Sequence, residues 1–314
     1  GYRTMRHSKN LAEHFDVTLN EHDVPMDPHA LRAAMREYDA LCPTVTDRID
    51  AGVLGVEGRR VRLIGNFGVG FNHIDIAAAK QLGIRVSNTP DVLTDTTADL
   101  AILLLLMATR RAGEGERELR GGRWTGWRPT HLMGQGIAGR TLGLIGYGRI
   151  AQATARRAQR AFGMKILYNS RRRVAAEIEA ECDAQYCASV DELVATSDVV
   201  SLHCPGGADT HHLIDARRLA LMKPTAVLVN TARGPVVDEA ALAAVLTRGG
   251  IAAAGLDVYE REPVVHPALL ALENVVLLPH LGSATQQTRS AMGMRVAQNL
   301  AAFFSGQPLP DPVV

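Results

Sequence analysis

The chain carries almost no excess charge. Its 314 residues hold 34 Lys and Arg against 33 Asp and Glu, so no long-range field draws it to nucleic acid or to an anionic membrane. Cysteine is equally sparse. Cys42, Cys182, Cys187 and Cys204 fit no paired zinc-ligand spacing, and four in a chain of this length make no disulfide framework. No metal is expected, and a reducing, cytoplasmic setting suits the thiols. Long apolar runs are missing too. The longest, Ala101 to Ala108, is too short to span a bilayer, and no basic-then-apolar leader precedes it. The chain begins with Gly1 rather than Met, which predicts a trimmed N-terminus. What is present is 46% hydrophobic residues against 21% charged, enough to bury one large or two modest cores, and two domains are expected.

The most informative stretch is Thr141 to Ala151, TLGLIGYGRIA. Leu142, Gly143, Leu144 and Ile145 read as a short buried strand that runs into Gly146-Tyr147-Gly148-Arg149-Ile150-Ala151, a match to G-x-G-x-x-G/A. Gly146 lets the backbone reverse tightly. Gly148 removes the Cβ that would hold a pyrophosphate away, and small Ala151 lets the next helix pack closely on its strand. That helix, Ile150 to Phe162 before Gly163, would aim its first amides at phosphate oxygens. A second strand, Lys165 to Asn169, completes a unit of βαβ length, so a dinucleotide is expected here.

Dinucleotide sites for NAD usually carry an acid about twenty residues after the glycines. This chain reads Tyr168-Asn169-Ser170-Arg171-Arg172-Arg173, with no acid. A ribose 2′-phosphate would be repelled by a carboxylate, whereas a serine hydroxyl and arginine can donate to it, each charge-assisted bond adding about 1.5 to 3 kcal/mol. The expected cofactor is therefore NADP(H), with NAD(H) possible. The alternative is that the arginines are a solvated helix start.

Around this unit strands and helices alternate, which predicts parallel sheets. Helices are expected over His7 to Phe15, Leu31 to Tyr38, Ile74 to Leu82, Glu239 to Leu246 and Met292 to Phe304. Strands are expected over Val17 to Leu19, Leu41 to Val45, Val61 to Asn66, Ile84 to Ser87, Val199 to His203, Ala226 to Asn230, Ala252 to Leu256 and Val275 to Leu278. The glycine-rich Asn66-Phe67-Gly68-Val69-Gly70-Phe71-Asn72 is either an ordinary βα loop or a turn that presents amides to an anion. Asp95 can cap a helix whose body, Ala98 to Met107, is apolar on every side and so suits a domain or subunit seam. Trp124 and Trp127, the only tryptophans, read equally as a subunit contact or as local packing.

Arg233, Asp257 and His280 each fall just past the carboxyl end of a separate expected strand, the edge at which open parallel sheets bind ligands. Reducing a keto group with a nicotinamide needs a proton for the carbonyl oxygen, a positive group near it and an anchor for the substrate carboxylate. His280, Arg233 and the amides of Val69 and Gly70 could supply these. A neighbouring carboxylate would favour the charged imidazolium. Glu262 and Glu260 are both placed to provide it.

The blocks Thr231-Ala232-Arg233-Gly234, Gly255-Leu256-Asp257-Val258-Tyr259-Glu260-Arg261-Glu262-Pro263 and Pro279-His280-Leu281-Gly282-Ser283-Ala284 resemble the signature segments of the D-isomer-specific 2-hydroxyacid dehydrogenases. The resemblance runs through Thr141 to Ala151 and back to Pro90 to Asp99. Within that family, Pro90 to Asp99, Gly122 to Trp127 and the acid-free Asn169 to Arg173 look most like glyoxylate/hydroxypyruvate reductases.

The resemblance implies Arg233 as the carboxylate and carbonyl clamp, Glu262 rather than Glu260 as partner of the histidine, and His280 as acid and base. It implies Val69 and Gly70 amides on the substrate carboxylate, and Asp257 near the nicotinamide carboxamide. Further cofactor contacts are implied at Thr97, Gly146, Gly148, Arg149, Ile150, Ser170, Arg171, Arg172, Cys204, Pro205, Thr210, Thr231, Ala232, His280 and Ser283. The implied fold is α/β with two doubly wound parallel-sheet domains. The resemblance implies a Rossmann cofactor domain, residues 92–283, inserted in a flavodoxin-like substrate domain, residues 1–91 and 284–314, and a homodimer.

Some features depart from the pattern. Ala151 stands where most members have Gly, and Thr130 or His131 stands where a bulky residue is common. No opening strand is evident in Gly1 to Lys9, so the first sheet is expected to lack one. The expected activity is NADPH-dependent reduction of a small 2-keto acid to the D-2-hydroxy acid. The alternatives are a branched or aromatic 2-keto acid, or a nucleotide-sensing interaction protein on the same fold.

Overall fold

A computed structural model of the chain describes residues 15–20 and 24–314, and it separates into two units. One comprises the chain up to Leu93 together with Thr285–Val314; the other is Thr94–Ala284. The helix expected from His7 falls outside the described residues except at Phe15.

In the first unit β1 (Ala40–Leu41), β2 (Leu63–Gly65) and β3 (Arg85–Ser87) form a parallel sheet in that order. Successive residues of β2 face opposite sides, as strand geometry requires. Ile64 joins a core with Leu31, Met35, Val53, Leu54 and Val86, while Leu63 packs with Val296 and Leu300 of the helix Gln286–Phe304. Burying each such side chain contributes roughly 1.5–3 kcal/mol. Helix Pro28–Glu37 starts where Asp27 accepts the Ala30 N–H and a proline fills the first turn.

Two expectations fail here. Val17 to Leu19 is not a strand, and among the described residues it pairs with no other segment. The strand expected over Leu41 to Val45 is only Ala40–Leu41, because Pro43 has no N–H to give a ladder.

The second unit holds seven parallel strands: β4 (Thr141–Ile145), β5 (Lys165–Asn169), β6 (Gln185–Tyr186), β7 (Val199–Leu202), β8 (Val227–Asn230), β9 (Ala253–Leu256) and β10 (Val275–Leu277). Their order is β10-β9-β8-β7-β4-β5-β6, so chain direction across the sheet reverses between β4 and β7. Helices Thr94–Thr109 and Arg149–Phe162 cover one face; Val190–Thr196, Ala216–Leu221 and Glu239–Thr247 cover the other. Helix Arg149–Phe162 closes at Gly163, whose φ of 62° allows its N–H and that of Met164 to reach the Gln159 and Ala158 carbonyls.

Helix Thr94–Thr109 differs from expectation at its start. Asp95 lies inside its first turn rather than at its cap, and with Asp99 it binds Arg157 of the neighbouring helix. Ala98, Ala101, Leu104, Leu105 and Ala108 are buried within this unit, whereas Leu103 is exposed. Leu104 lies against Gly255 of β9, where an added Cβ would stand 3.0 Å from it. Trp124 and Trp127 are 51% and 82% exposed, which removes the local-packing reading.

Candidate active site

At the carboxyl edge of the second sheet, β4 turns into helix Arg149–Phe162 at the strand-order reversal. Gly146 has φ 86°, and a Cβ on it would come within 2.6 Å of the Cys204 backbone at the end of β7. Only glycine meets both conditions. Gly148 is the N-cap, with no side-chain cap bond, and a Cβ there would enter open space. The first-turn amides are therefore not taken by a capping side chain.

The Thr231 hydroxyl past β8 is buried and has no hydrogen-bond partner among the described residues. An uncapped helix start beside a glycine cradle, with an orphaned hydroxyl on the same edge, fits a phosphate-bearing dinucleotide. Ala151 is fully buried, as the close helix–strand approach requires. Cys204 is buried, which pushes its thiol up to about 11. Thr210 donates to the Pro205 carbonyl at 2.7 Å, tying the loop after β7 together.

Past β5, the Ser170 hydroxyl donates to the Arg172 carbonyl at 2.6 Å. Arg171, Arg172 and Arg173 are exposed, and Arg173 donates from Nε and Nη2 to Glu179, both at 2.8 Å. The Tyr168 hydroxyl also donates to Glu179 at 2.6 Å. The Arg173 and Tyr168 bonds bring the Glu179 carboxyl down to about 2, so it stays ionised and keeps Arg173 engaged. Glu179 is the acid that a search limited to the first few positions after β5 overlooks.

The loops after β8, β9 and β10 bring Arg233, Asp257, Glu262 and His280 to the same edge. His280 Nδ1 lies 2.7 Å from Glu262 Oε2, and the Tyr259 N–H donates to the other oxygen at 3.0 Å. Glu260 is committed elsewhere, to His212 at 3.0 Å and the Glu239 N–H at 2.9 Å. Burial pushes the Glu262 carboxyl up, but His280, the Tyr259 N–H and the Arg233 charge outweigh it, and the net direction is down. Arg233 donates to the Ala232 carbonyl at 2.6 Å, and burial lowers its pKa against the pull of Glu262. Its side chain lies on Gly206, where a Cβ would stand 2.9 Å from its Cγ.

His280 has φ 56°, a backbone state that residues other than glycine seldom adopt. Asp257 over-determines it. Its carbonyl accepts the His280 N–H at 2.9 Å, and its two carboxylate oxygens accept the Leu281 and Gly282 N–H groups at 2.6 and 2.8 Å. Thr97 donates to the Gly282 carbonyl at 3.0 Å, next to Ser283, so it secures the same loop. Asp257 is 1% exposed, and burial lifts its carboxyl to about 6 against the pull of these amides and of His280. Such an arrangement can hold a proton at His280 Nε2 and favour negative charge beside Arg233.

Val69 and Gly70 lie in the first unit, in the loop after β2. Their N–H groups have no acceptor among the described residues. Among the described residues no three His, Cys, Asp or Glu come together as metal ligands, and no helix is long and apolar enough to cross a membrane.

The family described as D-isomer specific 2-hydroxyacid dehydrogenase, NAD binding domain, matches residues 102–282. A glyoxylate reductase of Thermococcus onnurineus is 46% identical over 309 residues, covering 97% of this chain and 91% of that protein. An NADPH-dependent glyoxylate/hydroxypyruvate reductase from Sinorhizobium meliloti, solved with NADP and malonate, superposes with a TM-score of 0.86 at 37% identity, covering 99% of this chain and 93% of the other. A glyoxylate reductase from Paecilomyes thermophila superposes with a TM-score of 0.88 at 35% identity, over 98% and 94%.

Proposed function

Given that the chain belongs to the D-isomer-specific 2-hydroxyacid dehydrogenases and is an NAD(P)-dependent oxidoreductase, we propose that it reduces glyoxylate or hydroxypyruvate to the D-2-hydroxy acid, preferring NADPH. The observation that carries this reading is the 2.7 Å pairing of His280 Nδ1 with Glu262 Oε2 beside Arg233.

The nicotinamide cofactor, when bound, supplies the hydride for the keto carbon. Glu262 accepts the His280 Nδ1–H and orients the ring, so that the imidazolium delivers its Nε2 proton to the carbonyl oxygen and is left as the neutral Nδ1–H tautomer. Arg233 favours the negative charge that grows on that oxygen, and its planar fork also suits a carboxylate. The Val69 and Gly70 N–H groups donate to the substrate carboxylate. Gly146, Gly148, Arg149, Ile150 and Thr231 would hold the dinucleotide phosphates and ribose, and Asp257 would lie on the nicotinamide side.

Preference for NADPH is supported by the absence of an acid at 169–173 and by exposed Arg171 and Arg172. The high exposure of Trp127 supports a homodimer. Initial rates of NADPH and NADH oxidation with each keto acid test the assignment. Faster turnover with NADPH is expected; turnover with NADH alone would remove the cofactor preference and leave the catalytic pair standing.

A further inference from the structure

The loop after β2 is held by its carbonyls. Asn66 is fully buried, and its Nδ2 donates to both the Gly68 and the Gly70 carbonyl at 3.0 Å. Asn88, half-buried beyond β3, donates from Nδ2 to the Val69 carbonyl at 2.8 Å, and the Thr89 N–H donates a second bond to Gly68 at 3.1 Å. Three consecutive carbonyls are thus held by two carboxamides that lie 22 positions apart in the chain.

A peptide group is planar, with N–H and C=O opposed, so pinning the Gly68 and Val69 carbonyls fixes where the Val69 and Gly70 N–H groups point. Neither of these N–H groups has an acceptor among the described residues. The same carboxamide carries a cost. Asn66 Oδ1 is buried with no partner among the described residues, a penalty of about 1–3 kcal/mol for a neutral acceptor. A side chain chosen only to fill this space would avoid that cost.

We infer that Asn66 and Asn88 are positioning residues for the carboxylate-binding amides: they tie back the Gly68, Val69 and Gly70 carbonyls and so aim the Val69 and Gly70 N–H groups at the substrate carboxylate. The inference rests on the reading that these amides bind that carboxylate.

Asn66→Asp and Asn88→Asp keep the side-chain shape but replace the donor with an acceptor facing carbonyl oxygens. Both enzymes are assayed with glyoxylate and with its methyl ester, a neutral substrate of similar size, and NADPH affinity is measured by fluorescence titration. Losing two donors is expected to raise KM for glyoxylate roughly tenfold or more in Asn66→Asp, with kcat changed far less, and the single bond in Asn88→Asp to give a smaller rise. The ester and NADPH affinity should shift less than about twofold, since neither uses the carboxylate contact.

Equal loss of acid and ester with NADPH affinity intact would overturn the positioning role. If Asn66→Asp loses NADPH affinity altogether, half-buried Asn88→Asp decides by the same criteria. A wild-type enzyme that takes the ester as readily as the acid would instead overturn the underlying reading of the carboxylate site.

Discussion

Glu262 divides its carboxylate between two partners, with Oε2 2.7 Å from His280 Nδ1 and Oε1 accepting the Tyr259 N–H at 3.0 Å. The second bond stops the carboxylate rotating and so makes the first directional. Glu262→Gln keeps the shape but offers an amide that can donate as well as accept. It is expected to lower kcat about tenfold or more while leaving NADPH affinity unchanged, as read by steady-state kinetics beside a binding titration.

Asp257 gives the reaction an acid limb. Its carboxyl is raised to about 6, above the ordinary value, so the neutral form gains population as pH falls through about 6. A protonated oxygen is a weaker acceptor for the Leu281 or Gly282 N–H than an ionised one, and the loop bearing His280 is held less firmly. kcat/KM is expected to fall as pH drops through this range. Asp257→Asn, which can accept only one of the two N–H groups, should be slow on both sides of pH 6 with that limb absent.

Arg173 is engaged by Glu179 through Nε and Nη2. Arg173→Ala is expected to leave the ratio of kcat/KM for NADPH over NADH within about twofold. Arg171→Ala should reduce it about tenfold, the value of one charge-assisted bond to a 2′-phosphate. Equal effects from the two variants would place the 2′-group elsewhere.

Much of this site is written in local sequence. The turn Gly146 to Ala151 is legible because each small residue answers a short-range demand, and β4, β5 and the intervening helix come out within a residue of the expected bounds. The pairing of Glu262 rather than Glu260 with His280 was not legible from spacing alone. It depends on His212 and Glu239 occupying Glu260, contacts separated by 48 and 21 positions.

The misread cap at Asp95 has a similar cause. An ion pair with Arg157, 62 positions away, replaced the local hydrogen bond that the residue type suggests. Asn66 and Asn88 carried no sequence signal, because asparagine before or after a glycine loop is ordinary turn chemistry until the fold brings the two together.

Gly234 offers a test of packing rather than chemistry. A Cβ there would lie 1.8 Å from the Tyr259 carbonyl carbon, a backbone atom that cannot step aside. Gly234→Ala is expected to destabilise the protein by ~1–3 kcal/mol or more in thermal unfolding and to lower kcat, since Tyr259 anchors Glu262. A variant with unchanged stability would contradict the close approach of these two loops.

The most direct measurement is the rate of NADPH oxidation with glyoxylate at neutral pH, wild type beside His280→Ala, both at saturating cofactor. Wild-type turnover and a loss in kcat on the order of 10² to 10⁴ for the variant, with cofactor affinity unchanged, are predicted for removal of a general acid. Equal turnover by the two proteins, or no turnover of any 2-keto acid by the wild type, would contradict the assignment of His280 as the proton donor of a keto-acid reductase.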